Sequence, residues 1–439
     1  MYLKNTLIYF NIIAIVLYFY SNLLSLSVGT GYIFLAITFL GTFFLLLSDL
    51  KHNISVPLMY FYLFLFLGYF LMNLFYDTNL NLLKIRSFTI GTTGGVLFSF
   101  ILGDIISYNI SLIKYYAERS PYFNRVFYLL FSIIVFLCFL RVFLEHMSVV
   151  RHDLFLIKNQ EGFYQRAGNF LLMQTLLHAF LLVVSFNSSE KKLIKDKLFI
   201  ISNLVFFLNS FLMMLLSQLV GSNSGFVAIA GIVLIMLSFL FLSETTNQKN
   251  KLINFRSLFF GWIGKGILKA VLTMFCLIFI ISFIAIQGFS FNFDKLRITG
   301  FGKSSIASVE NRIYLLKNNF FEHFSVNPIL GNIEADALTT GEGTYVHSIL
   351  NILPSLGIIG TGFFVMFLVK SFKRVVKSSY ISVYDKREGL FCFLSIVAVF
   401  SFNLLWATYT WTPFWFSLGL FTTHKSIAKR VPGEPLVHH

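Results

Sequence analysis

The chain has 439 residues, of which 57% are hydrophobic, 18% aromatic and only 12% charged, and its mean hydropathy is +0.78. This composition excludes a soluble globular protein and predicts a polytopic membrane protein. The formal net charge of +15 does not indicate a nucleic-acid partner, because the cations are concentrated in short loops between apolar segments, as the positive-inside rule describes.

Apolar segments recur along the whole chain. A helix needs about 20 apolar residues to cross a bilayer, and about twelve segments of that length can be placed. We therefore predict an all-α transmembrane bundle of about twelve helices. In chain order, their approximate centres are Ile13, Thr38, Phe66, Leu97, Val135, Leu177, Phe207, Leu234, Cys276, Val365, Val397 and Phe414.

Basic residues predict the membrane topology. The loops that we assign to the cytoplasm hold Lys114, Arg119, Arg125, Lys191, Lys192, Lys195, Lys197, Lys249, Lys251, Arg256, Lys370, Lys373, Arg374, Lys377, Lys386 and Arg387, and the basic tail is His424–Arg430. Counting helices between these loops puts both termini in the cytoplasm and two longer segments, His146–Arg166 and Gly288–Thr344, on the outer face.

The predicted organisation has four functional segments and a tag. They are residues 1–145 with helices one to five, 146–287 with the first external loop 146–166 and helices six to nine, 288–353 as a long periplasmic catalytic loop, 354–430 with helices ten to twelve and the tail, and 431–439 as an expected tag remnant. The long loop contains aromatic and apolar pairs, so we expect it to fold, with a helical pattern over Ser308–Phe321.

Cations in the two external segments run against the topological bias. They are Arg151, His152, Lys158, Arg166, Lys295, Arg297, Lys303, Arg312 and Lys317. Arg166 begins an Arg-Ala-Gly-Asn sequence at the start of the sixth helix, where a guanidinium can pair with a phosphate beside a helix N-terminus. The alternatives are that Arg166 snorkels to the interface and that Arg312 forms a surface ion pair with Glu310 or Glu322.

The stretch from Gly341 to Gly360 carries a lone histidine, His347, out of the long loop and back into the membrane. Residues Ser348 to Leu353 can form a short apolar helix, and Pro354 suits the first turn of the next helix. An imidazole at this boundary can accept the proton of a sugar hydroxyl, because its unperturbed pKa lies near neutral pH.

Several polar and small residues lie within predicted helices. Gln174 and His178 share one face of the sixth helix, where they line a cavity or form interhelical hydrogen bonds. Gly91, Gly94 and Gly95 are expected to permit close helix packing. No paired acidic motif for Mg²⁺ occurs in an outer loop, so the sequence predicts neither a metal nor another cofactor.

The order of these motifs resembles the O-antigen polymerase and O-antigen ligase superfamily over about the second two-thirds of the chain. The matching elements are Arg-Ala-Gly-Asn at 166–169, a Ser/Gly-rich hairpin at Gly221–Gly225, Asn311-Arg312, Asn327–Gly331, Tyr345–Leu350 and Leu356–Gly360. One departure is that many relatives have an arginine in the hairpin, where this chain has Ser222-Asn223-Ser224.

The resemblance implies a metal-independent glycosyltransferase of the bacterial inner membrane, with a periplasmic active site and an undecaprenyl-diphosphate-linked donor. It implies that His347 is the catalytic base and that Arg166 and Arg312 bind the donor diphosphate. Arg297, Lys303 and Arg151 are further diphosphate-binding candidates, since Arg297 or Lys303 could replace the missing hairpin arginine. Glu342 or Glu310 would orient the imidazole.

Four functions remain open from the sequence, and the last of them is a non-catalytic receptor or assembly factor. The Tyr345–Leu350 sequence motif resembles the motif of polymerases more closely than that of ligases. The first expectation is therefore a surface-polysaccharide polymerase, with membrane lipid and a chain-length regulator as partners. The second is a ligase that transfers glycan to lipid A core. The third, from another class, is a lipid-linked oligosaccharide flippase, which predicts cations along a central cavity rather than in outer loops.

Overall fold

The computed structural model describes residues 2–23, 33–34, 36–42, 58–76, 82–117, 121–150, 163–185, 197–219, 222–245, 314, 320–333, 348–379, 385–406 and 409–422. Every regular element within these ranges is helical, and none is a strand. The predicted all-α class is therefore confirmed for this part of the chain.

Eleven α-helices have defined bounds in these ranges. They are α1 (Tyr2–Leu23), α2 (Leu58–Tyr76), α3 (Leu82–Ala117), α4 (Pro121–Val150), α5 (Phe163–Ser185), α6 (Lys197–Leu219), α7 (Asn223–Thr245), α8 (Phe320–Val326), α9 (Ile352–Ser379), α10 (Asp385–Trp406) and α11 (Thr412–Thr422). A 3₁₀ helix, Ile349–Asn351, runs directly into α9.

Five stretches in the described ranges are long and apolar enough to cross a membrane. They are Ile90–Ile110, Arg125–Leu144, Ala167–Ser185, Leu198–Gln218 and Ile349–Val375. Shorter apolar helices cover Thr6–Tyr20, Tyr60–Leu74, Ser224–Leu237 and Phe391–Asn403. The chain thus has helices typical of a membrane protein. The number of about twelve spans stays a prediction, and the predicted ninth span, centred on Cys276, lies outside the described residues.

The chain divides into two compact units that do not follow chain order. The first comprises Met1–Ile15, Tyr32–Tyr116 and Ser304–His439, and the second comprises Val16–Gly31 and Ala117–Lys303. The first unit therefore combines helices from both ends of the sequence, whereas α4 to α7 belong to the second. The segment boundaries predicted from the sequence concern membrane topology and stay predictions.

In the first unit, α9 packs against α2, α10 and α11. The Trp415 side chain is fully buried, stacks on Phe66 with ring centroids 5.5 Å apart, and donates its indole N–H to the Tyr409 carbonyl at 2.7 Å. Every residue of α11 from Pro413 to Thr422 is buried. The predicted twelfth span is therefore, as far as the structure describes it, an 11-residue helix surrounded by protein.

A close helix crossing in the first unit depends on a glycine pair. A Cβ on Gly103 of α3 would overlap the Phe416 carbonyl oxygen of α11, and a Cβ on Gly419 would overlap the Phe100 carbonyl oxygen. Among the residues that the structure describes, no atom comes close to a Cβ on Gly91 or Gly94 and Gly95 would make only an ordinary contact, so the glycines that the sequence suggested do not provide this close approach there. Small residues allow such backbone approach in membrane helices.

In the second unit, α5 packs against α4, α6 and α7 and is its most buried span. His178 of α5 lies 2.7 Å from the Ser132 hydroxyl, with Tyr128, Phe131 and Phe206 around its ring. This supports interhelical hydrogen bonding rather than cavity lining for His178. Gln174 is also fully buried, and its amide atoms make no hydrogen bond within the described part of the chain.

Candidate functional site

The end of the long loop folds back onto the start of α9 in the first unit. The turn Asn327–Gly331 comes directly after α8, and its backbone pairs with the segment Pro354–Ile359. Ile358 N–H donates to the Pro328 carbonyl at 3.0 Å, Ile359 N–H donates to the Ile329 carbonyl at 3.3 Å, and Asn332 N–H donates to the Pro354 carbonyl at 2.9 Å. Two motifs that the sequence separates are thus in direct contact.

Two glycines make this contact possible. Gly331 has φ +81° and Gly357 has φ +63° with ψ −170°, so α9 is interrupted at Gly357. A Cβ on Gly331 would overlap the Gly357 backbone nitrogen, and a Cβ on Gly357 would overlap the Ile329 carbonyl oxygen. Both the left-handed conformations and the backbone approach require glycine here.

A pair of polar side chains from α2 fixes the turn from the other side. The Tyr69 hydroxyl donates to the Leu330 carbonyl at 2.9 Å, and the Asn73 side-chain amide donates to the same carbonyl. Tyr69 and Asn73 are four residues apart, so both face the turn from one side of α2. The sequence reasoning missed this pair, although a tyrosine and an asparagine at helical spacing in an apolar segment were a usable signal.

The chain enters α9 through a capped 3₁₀ helix. Ser348 is extended, with φ −151° and ψ 152°, and its hydroxyl accepts a hydrogen bond from Leu350 N–H at 3.2 Å. Pro354 lies in the first turn of α9, where a missing N–H has no cost, as the sequence predicted. His347 immediately precedes the cap and lies outside the described residues.

The second unit brings another pair of motifs together. Gly168 of α5 contacts the hairpin between α6 and α7, because a Cβ on Gly168 would overlap the Ser222 hydroxyl and lie 3.7 Å from Gly225 Cα. Ser222 caps α7, since its hydroxyl accepts the Gly225 N–H at 3.2 Å, and its carbonyl accepts the Ser217 hydroxyl at 2.7 Å. The Arg-Ala-Gly-Asn and Ser/Gly-rich motifs therefore adjoin.

Arg166 is the one predicted site residue whose backbone the structure places. It lies in α5, which begins at Phe163, and its side chain is not described. Because α4 continues to Val150 and α5 begins at Phe163, both ends of the predicted first external loop 146–166 are helical. The remaining predicted site residues lie outside the described part of the chain: His347, Arg312, Arg297, Lys303, Arg151, Glu342 and Glu310.

Neither the structure nor the comparisons assign a ligand to these motifs. Within the residues that can be described, no group of three or more His, Cys, Asp or Glu side chains could hold a metal ion. No protein-family model, curated protein or solved structure matches the chain. The contacts between motifs are therefore the structural feature from which a function can be inferred.

Proposed function

We propose that this chain is a surface-polysaccharide (O-antigen) polymerase of the bacterial inner membrane. It would transfer a glycan from undecaprenyl diphosphate to a hydroxyl of a second undecaprenyl-diphosphate-linked repeat unit at the periplasmic face. The polytopic character inferred from composition and the apolar helices are compatible with this activity, and the ordered resemblance of the motifs suggests it.

One observation carries the proposal: motifs far apart in the sequence meet in space. Asn327–Gly331 packs on the Leu356–Gly360 motif in the first unit, and Arg-Ala-Gly-Asn packs on the Ser/Gly-rich hairpin in the second. Each pair lies within one unit, and residues that contribute to a reaction site need such fixed neighbours, since a misplacement of about 1 Å can cost about 10²-fold in rate. Contacts between them are what the enzyme hypothesis requires.

In the proposed reaction, His347 acts as general base. Its imidazole takes the proton of the acceptor hydroxyl as that oxygen attacks the anomeric carbon of the donor glycan. The bond between this carbon and the diphosphate oxygen breaks, and undecaprenyl diphosphate leaves. The adjoining Ser348 cap and the turn pinned at Gly331 hold the two ends of the segment that carries His347. Glu342 or Glu310 would orient the imidazole.

We assign to arginine side chains the stabilisation of the negative charge that develops on the leaving diphosphate. Arg166 and Arg312 would stabilise it in the transition state, and Arg297, Lys303 and Arg151 would contribute to donor binding. Arg166 lies two residues before Gly168, the point at which α5 touches the capped N-terminal end of α7. The backbone of Arg166 lies in the first turn of α5, and the N-terminus of a helix favours negative charge.

The base is tested by replacing His347 with alanine. In proteoliposomes supplied with an undecaprenyl-diphosphate-linked repeat, we expect His347→Ala to lower the rate of chain lengthening by about 10²- to 10⁴-fold. The matched control is His424→Ala in the predicted cytoplasmic tail, which should leave the rate unchanged. Near-normal lengthening by well-folded His347→Ala protein would remove the base assignment.

The donor-binding arginines are tested by charge-conserving substitutions. Arg166→Lys and Arg312→Lys should both be strongly impaired, because a single ammonium cannot reproduce a bidentate pair with a phosphate. Arg387→Lys, in a predicted cytoplasmic loop, is the control and should be fully active. If both outer variants turn over normally, snorkelling or ion pairing explains these arginines better than donor binding does.

Topology is tested separately from activity. Single cysteines at Ser308 and Thr340 should react with a membrane-impermeant maleimide from the periplasmic side, and a cysteine at Ser378 should react only from the cytoplasmic side. Reversed labelling would contradict a periplasmic active site.

The acceptor distinguishes a polymerase from a ligase. Cells that lack this chain should cap their lipid A core with a single oligosaccharide unit, and the purified protein should lengthen a lipid-linked repeat and release undecaprenyl diphosphate. A bare core, with long polymer accumulating on undecaprenyl diphosphate, would support the ligase instead.

A further inference from the structure

The turn Asn327–Gly331 presents an apolar surface beside the interruption in α9. Pro328 is exposed, Ile329 is 60% exposed and Ile358 is 58% exposed, and the Ile358–Pro328 hydrogen bond holds the two isoleucine-bearing segments side by side. We call Pro328, Ile329, Ile358 and Ile359 the turn surface.

The backbone of the turn is almost fully paired within the protein. Each of the four carbonyls from Asn327 to Leu330 accepts a hydrogen bond, from Gly331 N–H, Ile358 N–H, Ile359 N–H and the Tyr69–Asn73 pair respectively.

Two of the backbone donors of the turn are also paired within the protein. Leu330 N–H donates to the Asn327 side chain at 3.2 Å, Gly331 N–H to the Asn327 carbonyl at 2.8 Å, and Pro328 has no N–H. A turn in water can leave such groups to the solvent, whereas non-helical backbone at membrane depth must have them satisfied by protein.

The position of the turn along α9 places it at the edge of the bilayer. From Gly357 to Arg374, a regular helix rises about 25 Å. Lys370, Lys373 and Arg374 mark the end of α9 that the positive-inside rule assigns to the cytoplasm. With Arg374 at the cytoplasmic boundary of a hydrocarbon core about 30 Å thick, a helix along the membrane normal would put Gly357 about 5 Å inside the opposite boundary.

The turn surface continues a stripe of exposed apolar residues along α9. Ile358, Val365, Met366 and Val369 are all exposed, and the open space around Gly362 lies between them in sequence. Their spacing puts them on one side of a helix that belongs to the candidate span Ile349–Val375. An apolar stripe of this kind on a membrane helix faces lipid chains.

From these observations we propose that the turn Asn327–Gly331 is inserted into the outer leaflet and that its exposed surface contacts the hydrocarbon chains of bilayer lipids. Its occupant is therefore lipid rather than a protein partner. The proposal concerns a surface of the fold and does not depend on the glycosyltransferase assignment.

Site-directed spin labelling tests this directly. Nitroxides are attached to Ile329→Cys and Ile358→Cys in a variant whose Cys138, Cys276 and Cys392 are replaced by serine, reconstituted in phosphatidylethanolamine and phosphatidylglycerol vesicles. Met366→Cys serves as the reference for lipid, and Glu322→Cys, at an exposed carboxylate of α8, as the reference for water. We expect both isoleucine positions to be accessible to oxygen and shielded from a water-soluble nickel complex, as position 366 is.

The proposal would be overturned if the label at position 329 were as accessible to the nickel complex as the label at position 322. The unsubstituted protein provides a second measurement, in case the labelled variants do not fold. A phospholipid with a diazirine in its acyl chain should modify peptides containing Ile329 and Ile358 after irradiation. Modification restricted to the Val365–Val369 part of α9 would also contradict insertion of the turn.

Discussion

The two units bring their motifs together by different kinds of contact. In the first unit, Gly331 and Gly357 approach backbone to backbone, with both residues in left-handed conformations. In the second unit, Gly168 approaches the hydroxyl of Ser222, which also caps α7. The first contact has no side chain that could move aside, whereas the second has one.

This difference indicates how much each contact tolerates sequence change. A backbone contact can be relieved only by moving a helix or the turn, and the turn is also held by Tyr69 and Asn73. A side-chain contact can be relieved by changing the side chain. We therefore expect the first contact to be strict and the second to be adjustable by a second substitution, and three experiments test this expectation.

The largest effect is expected for Gly357→Ala. The backbone conformation of Gly357, with φ +63° and ψ −170°, is essentially restricted to glycine and costs another residue about 1–3 kcal/mol. The overlap with the Ile329 carbonyl adds a cost of the kind seen on overpacking, so we expect a loss of about 3 kcal/mol or more. The measurement is the midpoint of unfolding of the purified protein in a titration with sodium dodecyl sulfate.

Gly362→Ala is the matched control, because it lies in the same helix with open space around it. An added methyl group there should leave the midpoint unchanged or raise it, since alanine favours a helix over glycine. Equal midpoints for Gly357→Ala and Gly362→Ala would show that glycine is not required at position 357.

An intermediate effect is expected for Gly168→Ala. The new methyl group displaces the Ser222 hydroxyl from the Gly225 N–H, so α7 loses its cap and the hairpin must shift, at a total cost of about 2 kcal/mol. The Gly168→Ala/Ser222→Gly double variant should recover most of this loss, because glycine at an N-cap costs only a few tenths of a kcal/mol.

A double-mutant cycle of these two positions measures the coupling between α5 and the hairpin. Additive losses, with no recovery in the double variant, would mean that the Gly168 contact is as strict as the one at Gly357. The predicted difference between the two units would then be wrong.

The smallest effect is expected for the hydrogen bonds to Leu330. Tyr69→Phe removes one donor and should cost about 0.6 kcal/mol, the average for a hydrogen bond in a membrane protein. Adding Asn73→Leu should cost about 1–3 kcal/mol in total, because the part-buried Leu330 carbonyl then loses both partners. Tyr62→Phe removes a hydroxyl from the same helix and is the control.

In the first unit, a separate readout distinguishes positioning from simple stability. If the Tyr69–Asn73 pair fixes the turn, a nitroxide at position 329 should become more mobile in the Tyr69→Phe/Asn73→Leu variant while a label at position 366 is unchanged. Unchanged mobility of the label at both positions would mean that the Gly331–Gly357 contact holds the turn without the Tyr69–Asn73 pair.

Part of this architecture was predictable from local sequence. The composition identified a membrane protein, and apolar segments of sufficient length located spans such as those in α4, α5 and α6. Pro354 predicted the entry into α9, because the missing proline N–H has its effect within the first helical turn, whereas the Ser348 cap was found only in the structure. The twelfth span was less well predicted, since hydropathy does not distinguish a helix buried in protein from one facing lipid, and α11 is buried.

What the sequence determined by itself was therefore the class of protein, its helices and the identity of its motifs, all of which depend on composition and on short-range geometry. Only the tertiary structure decided which motifs meet: Gly331 with Gly357, Gly168 with Ser222, and Tyr69 and Asn73 with Leu330. The physical reason is that these contacts join backbone groups and single side chains far apart in the chain. Such contacts leave no periodic pattern in the sequence. The sequence also does not show whether a glycine has open space or another backbone beside it.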